Sequence, residues 1–105
     1  MDKESVLKIV CEFAKALEAE GIKPQRIVLF GSHSTGTQRE DSDIDLIVIS
    51  EDFTGKGYWK RIDVLSAAIA AVFQPIEAIA MTPQEWQNGQ SRIIDYARNG
   101  EVVYG

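Results

Sequence analysis

Three short apolar runs constrain what this chain can become: Arg26-Ile27-Val28-Leu29-Phe30, Ile44-Asp45-Leu46-Ile47-Val48-Ile49 and Ile76-Glu77-Ala78-Ile79-Ala80-Met81. They are too short for helices and are bounded by turn residues, and the second is dominated by β-branched side chains, so all three read as largely buried strands. Between them the apolar spacing changes to the helical period. Val6, Val10, Phe13 and Leu17 form one helical stripe, with Asp2 placed to cap its start and Gly21 its end. Ile62, Leu65, Ile69 and Val72 form a second, which Pro75 stops. Pro24 marks a turn, and residues 51–57, with two glycines, read as a loop. Thr82-Pro83-Gln84-Glu85 is a capping box with proline in the first helical position, so a third helix starts there and Asn99-Gly100 closes it. Val102-Val103-Tyr104 reads as a short tail strand. The expectation is an α/β (α+β) fold, a small mixed sheet with helices packed on it, forming one domain over residues 1–105.

The charge balance narrows the function. Eleven Lys and Arg against 16 Asp and Glu give a net charge of −5, the wrong sign for a protein that grips nucleic acid through its phosphates. No direct nucleic-acid partner is expected. Cys11 is the single cysteine, so no internal disulfide forms, which fits a reducing cytoplasm. The charged start Met1-Asp2-Lys3-Glu4 is not a secretory signal, and no apolar run reaches membrane-spanning length.

The segment between the first two strands carries the chemistry. The first strand runs into Gly31-Ser32; ten residues later the second opens with Asp43-Ile44-Asp45. A glycine after a strand lets a ligand approach the backbone, and a turn with free N–H groups and a serine hydroxyl suits phosphate. An ordinary turn also favours glycine and serine, so this pair alone decides little. The aspartates add weight. Residues i and i+2 of a strand face the same side, so Asp43 and Asp45 converge while Ile44 turns to the core. Two converging anions repel unless a cation lies between them, and an oxygen-only ligand set suits Mg²⁺ with substrate phosphates completing its shell. A solvated strand end is the competing explanation.

Gly31-Ser32, ten residues, then Asp43-Ile44-Asp45, with a second glycine at Gly36 and the run Asp41-Ser42-Asp43-Ile44-Asp45-Leu46, resembles the signature of the DNA polymerase beta-like nucleotidyltransferase superfamily. The chain's size is similar to that of the minimal nucleotidyltransferase branch. The resemblance spans about Ile27 to Trp86 and implies the polymerase beta-like nucleotidyltransferase fold. It also implies a third carboxylate between apolar neighbours on a later strand, the place that Glu77 takes. On this reading two Mg²⁺ ions are held by Asp43, Asp45 and Glu77, ATP is the substrate, and Gly31, Ser32 and Arg39 contact its phosphates. It further implies an antitoxin that attaches AMP to a tyrosine of a HEPN-domain toxin. Two departures stand out: Thr35 occupies a position where many relatives carry arginine, with Arg39 the candidate to compensate, and the third acid is Glu where Asp is common.

The alternatives are the same chemistry on a small hydroxylated molecule, or a binding-only regulator without turnover. His33, the single histidine, has no required role beside a metal-activated hydroxyl. Asp63 competes with Glu77 for the third position but sits on a helix, where a solvated face is the simpler account. Trp59 and Trp86 are expected in the core or at an interface. Among the cations, Arg39, Lys56, Lys60 and Arg61 are the candidates to reach the site. A chain this small has no second domain to cover the nucleotide, so a second copy or another protein must supply that wall.

Overall fold

The computed structural model describes residues 2–31, 43–89 and 100–105. Helix α1 spans Lys3–Ala19, and the Asp2 carboxylate caps it by accepting from the Ser5 backbone N–H at 2.8 Å. Gly21, at φ 87°, turns the chain out of the helix in the left-handed region, where glycine carries no Cβ penalty. Strands β1 (Arg26–Phe30) and β2 (Ile44–Ile49) follow, and a single 3₁₀ turn over Glu51–Phe53 lies within the expected loop. Helix α2 (Tyr58–Val72), strand β3 (Ile76–Met81), helix α3 (Pro83–Gln87) and strand β4 (Glu101–Tyr104) complete the order. The three apolar runs therefore form the three expected strands with the same ends.

The sheet is mixed, in the order β3-β2-β1-β4. β1 is antiparallel to both β2 and β4, whereas β2 and β3 are parallel. A parallel pair needs a crossover, and α2 supplies it. Helices α1 and α2 cover one face. There Val10, Phe13 and Leu17 of α1 and Leu65 and Ala68 of α2 pack on Ile27, Leu29, Ile44, Leu46, Val48 and Ile76. Of the second helical stripe only Leu65 is fully buried, because α2 lies towards the edge of the sheet. The opposite face carries a smaller apolar cluster, Val28, Ile47, Ile49 and Met81, with Phe30, Ile79 and Trp86 against it. Trp86 thus joins a core, as expected, but Trp59 is exposed.

The capping box at α3 forms as read: the Thr82 hydroxyl accepts from the Glu85 N–H, and the Glu85 carboxylate accepts from the Thr82 N–H. This helix ends at Gln87, with Asn88 as its C-cap, so it is shorter than the single helix expected to run to Asn99-Gly100; residues 90–99 lie outside the described residues. Arg61 ties three segments to this corner. Its guanidinium donates to Glu85 at 2.6 Å, to the Lys56 carbonyl at 2.8 Å and to the Phe53 carbonyl at 3.2 Å. Among the described residues no helix is long and apolar enough to cross a membrane.

The Glu85 carboxyl experiences opposing influences. Burial pushes its pKa up, but the Arg61 guanidinium and the Thr82 N–H outweigh burial and hold it below the ordinary glutamate value of 4.5. A carboxyl depressed in the folded state adds stability above its unfolded pKa and loses it as pH falls through the folded one. The acid limb of the stability curve below about pH 4.5 is therefore expected to flatten in Glu85→Gln, measured by urea unfolding across a pH series. An unchanged limb would show that other carboxylates carry it.

Candidate active site

Strand register decides which of the candidate residues meet. Asp45 pairs with Phe30 on one side and with Glu77 on the other, so Phe30, Asp45 and Glu77 form one row across three strands. Paired residues share a face. Alternation along β2 and β3 puts this row on the face of Ile47, Ile49, Ile79 and Met81, away from α1 and α2. Asp43 stands just before β2, two positions ahead of Asp45, with Ile44 between them fully buried. Asp43 and Glu77 are exposed and Asp45 is half-buried. Neighbouring strands lie about 4.8 Å apart, so the Asp45 and Glu77 backbones bring two like charges to one corner of the sheet. As the side chains stand, no three His, Cys, Asp or Glu among the described residues form a group that could hold a metal ion.

The donor set nevertheless suits a hard divalent cation: three carboxylates, oxygen-only, at strand ends open to solvent. Glu77 lies on the edge strand of the sheet. Asp63, the competing acid, is exposed on α2 and so belongs to the helix-covered side of the sheet.

Gly31 has a geometry that the sequence did not reveal. It follows β1 with φ 74°, in the left-handed region. A Cβ built there would overlap Asp45 Oδ2 and come within 3.1 Å of Asp45 Cγ. The open space above this glycine is therefore filled by the chain's own aspartate. The expected reason for a glycine, close approach of a ligand, gains a second one: the missing side chain makes room for a carboxylate. Phe30, in the same row, was not singled out from sequence, since only cross-strand register brings it beside Asp45.

Ser32, His33, Gly36 and Arg39 lie outside the described residues. Of the other cations, Arg61 is committed elsewhere: its guanidinium is mostly buried and bonded to Glu85 and to two loop carbonyls, so it is not available for phosphate. That corrects its expected candidacy.

The model of the nucleotidyltransferase domain family matches residues 7–97, and the chain belongs to that family. Three solved structures share its fold. A protein of Sulfolobus solfataricus described as a candidate nucleotidyltransferase superposes with a TM-score of 0.68 at 16% identity, covering 91% of this chain and 77% of its own. A toxin–antitoxin structure with AMP-PNP gives 0.62 at 24% identity, covering 94% and 73%. A mutant of the toxin–antitoxin MntA-HpeT gives 0.55 at 19%, covering 100% and 74%. No curated protein matches the chain. The mixed sheet and its helices are thus those of a nucleotidyltransferase domain, and the chain is a transferase by family.

Gly31→Ala is expected to cost about 1–2 kcal/mol of stability from the left-handed backbone alone. It should also push the Asp45 carboxylate aside and lower nucleotidyl transfer roughly 10²-fold, as small misplacements of reacting groups do. Urea unfolding and a turnover assay on the same sample check both. Full activity in a destabilised Gly31→Ala would show that the contact with Asp45 is only packing.

Proposed function

We propose that the chain transfers a nucleoside monophosphate, AMP from ATP, to a hydroxyl, and that the acceptor is a tyrosine of a HEPN-type toxin which it thereby silences as an antitoxin. The observation that carries this reading is the row of Asp45 and Glu77 on adjacent parallel strands, with Asp43 two residues before, on the sheet face that α1 and α2 leave open. Membership of the nucleotidyltransferase family supports the reaction class. The antitoxin role draws on the resemblance of the Gly31-Ser32 and Asp43-Ile44-Asp45 motif and on the fold shared with structures described as toxin–antitoxins.

In the reaction the acceptor oxygen attacks the α-phosphorus and forms a new P–O bond. The bond from that phosphorus to the bridging oxygen breaks, and pyrophosphate leaves. Glu77, exposed at the sheet edge, orients the hydroxyl and accepts its proton on this reading. Asp43 and Asp45 would hold Mg²⁺, with Glu77 completing the set. Mg²⁺, when bound, neutralises charge on the triphosphate and on the leaving group. Gly31 keeps Asp45 against the end of β1, which limits its rotamers. Ser32 and Arg39 are the proposed phosphate contacts. Transfer by such a site is mostly positioning and electrostatics, so small displacements of these side chains weigh heavily.

The test is incubation with α-labelled ATP and Mg²⁺, with and without a HEPN-type protein. Label is expected on a tyrosine of that protein, and Asp43→Asn or Asp45→Asn should reduce it to background while folding is kept or slightly improved by relief of carboxylate repulsion. Label on a small hydroxylated acceptor would move the substrate class. Undiminished transfer in both Asn variants would remove the carboxylate site.

A further inference from the structure

The outer edge of β3 has a pattern of free backbone groups that matches itself. The Ile44 N–H donates to the Pro75 carbonyl at 2.8 Å, and the Ser50 N–H to the Met81 carbonyl at 3.0 Å. In a parallel ladder a residue's N–H and C=O point to the same side. Glu77, Ile79 and Met81 therefore turn towards β2, and Ile76, Ala78 and Ala80 turn to the open edge. An Arg61 N–H that reaches the Ala80 carbonyl at 3.5 Å agrees with this. The Ile76 N–H is already closed on the Gln74 carbonyl at 2.8 Å. What the edge offers among the described residues is the N–H and C=O of Ala78, the N–H of Ala80 and the C=O of Ile76.

We propose that a second copy of this chain pairs with that edge, β3 antiparallel to β3, about a twofold axis at Ala78. An antiparallel pair centred there uses Ala78 N–H to Ala78 C=O in both directions and Ala80 N–H to Ile76 C=O in both directions. The groups this register leaves over, Ile76 N–H and Ala80 C=O, are the two already engaged within the chain. Alanine faces alanine at the centre, so no bulk holds the strands apart. Glu77 falls opposite Ile79, and the two Glu77 carboxylates never meet. β3 also carries none of the lysines or prolines that protect an edge strand from pairing.

Side chains outside the strand fit the same twofold axis. Phe73, just ahead of β3, is 90% exposed and held at φ 57°, a costly conformation for an aromatic residue. Beside the second half of β3 lies a cavity of about 510 Å³, lined by Tyr58, Ile62, Leu65, Ala78 and Ala80, with Glu85 at its rim. Antiparallel pairing brings the segment before one β3 alongside the end of the other, which carries Phe73 towards the Tyr58 and Glu85 end of that cavity. Tyr58 and Trp59 are 67% and 74% exposed there and stack edge to face. Lys56, Arg61 and Glu85 line that end of the cavity, while Glu77 with Asp43 and Asp45 lies at the other end of the strand. The carboxylate corners of the two copies are thus kept apart, within chains of net charge −5. One consequence rests on the proposed function: Lys56 of the second copy would bring a cation to a carboxylate corner that Arg61 cannot serve.

Sedimentation equilibrium of the full chain, from micromolar to millimolar concentration, tests the pairing. The mass is expected to rise from 11.7 kDa towards twice that. Ala78→Pro removes an edge N–H that β2 does not use, a position where an edge strand tolerates proline. It should weaken association at least about tenfold with an unchanged circular dichroism spectrum. Phe73→Gly should relieve the left-handed strain, so the isolated chain melts no lower, yet association should weaken. That opposite movement separates an interface from simple destabilisation, and it decides the matter alone if Ala78→Pro fails to fold. A mass of 11.7 kDa at every concentration would overturn the proposal. So would a dimer that both variants leave as tight as before. An ATP assay without turnover would not touch it.

Discussion

β2 and β3 run parallel, so the chain has to travel back along the sheet between them, and α2 makes that return journey. Much else depends on this crossover. It aligns Asp45 with Glu77 in one row, and it leaves β3 at the edge of the sheet with half of its backbone groups facing outward. It also leaves one face of the sheet to α1 and α2 and the other to the smaller apolar cluster and the row of Asp45 and Glu77. An antiparallel hairpin in place of the crossover would have allowed other registers and set Glu77 beside a different residue.

The two faces of the sheet carry unequal shares of the core. On the helix side, Phe13, Leu17, Ile22, Ile27, Leu29, Leu46 and Phe53 are all fully buried. Burying each such side chain contributes about 1.5–3 kcal/mol towards folding before entropy is counted. The Arg61 guanidinium could have served phosphate, but it joins the 3₁₀ turn, the loop before α2 and the Glu85 cap, and so holds α3 in place. Trp86, carried by α3, then closes the end of the second apolar cluster.

The limits of the sequence reading show in particular residues. Strand positions were legible because a short apolar run bounded by turn residues has few other uses, and the ends of β1, β2 and β3 fell where the runs ended. The capping box at Thr82 and the cap at Asp2 were legible because they depend on chemistry three residues apart. Arg61 was misjudged because its partners lie up to 24 residues away and nothing local announces them. Trp59 was given two homes, core or interface, and only packing removed the first.

For the site, strand alternation forces Asp43 and Asp45 onto one face whatever surrounds them, while nucleotidyl transfer was implied by the resemblance of the Gly31-Ser32 and Asp43-Ile44-Asp45 motif to a known superfamily. The sequence by itself thus determined the strands and the helix caps at Asp2 and Thr82. Only the tertiary structure decided that Asp45 and Glu77 are neighbours, that Gly31 yields its side-chain space to the Asp45 carboxylate, and that β3 ends the sheet. The physical reason is the range of the forces involved. Periodicity and capping act within a few residues, whereas strand order and register emerge when distant segments compete to bury the same apolar surface.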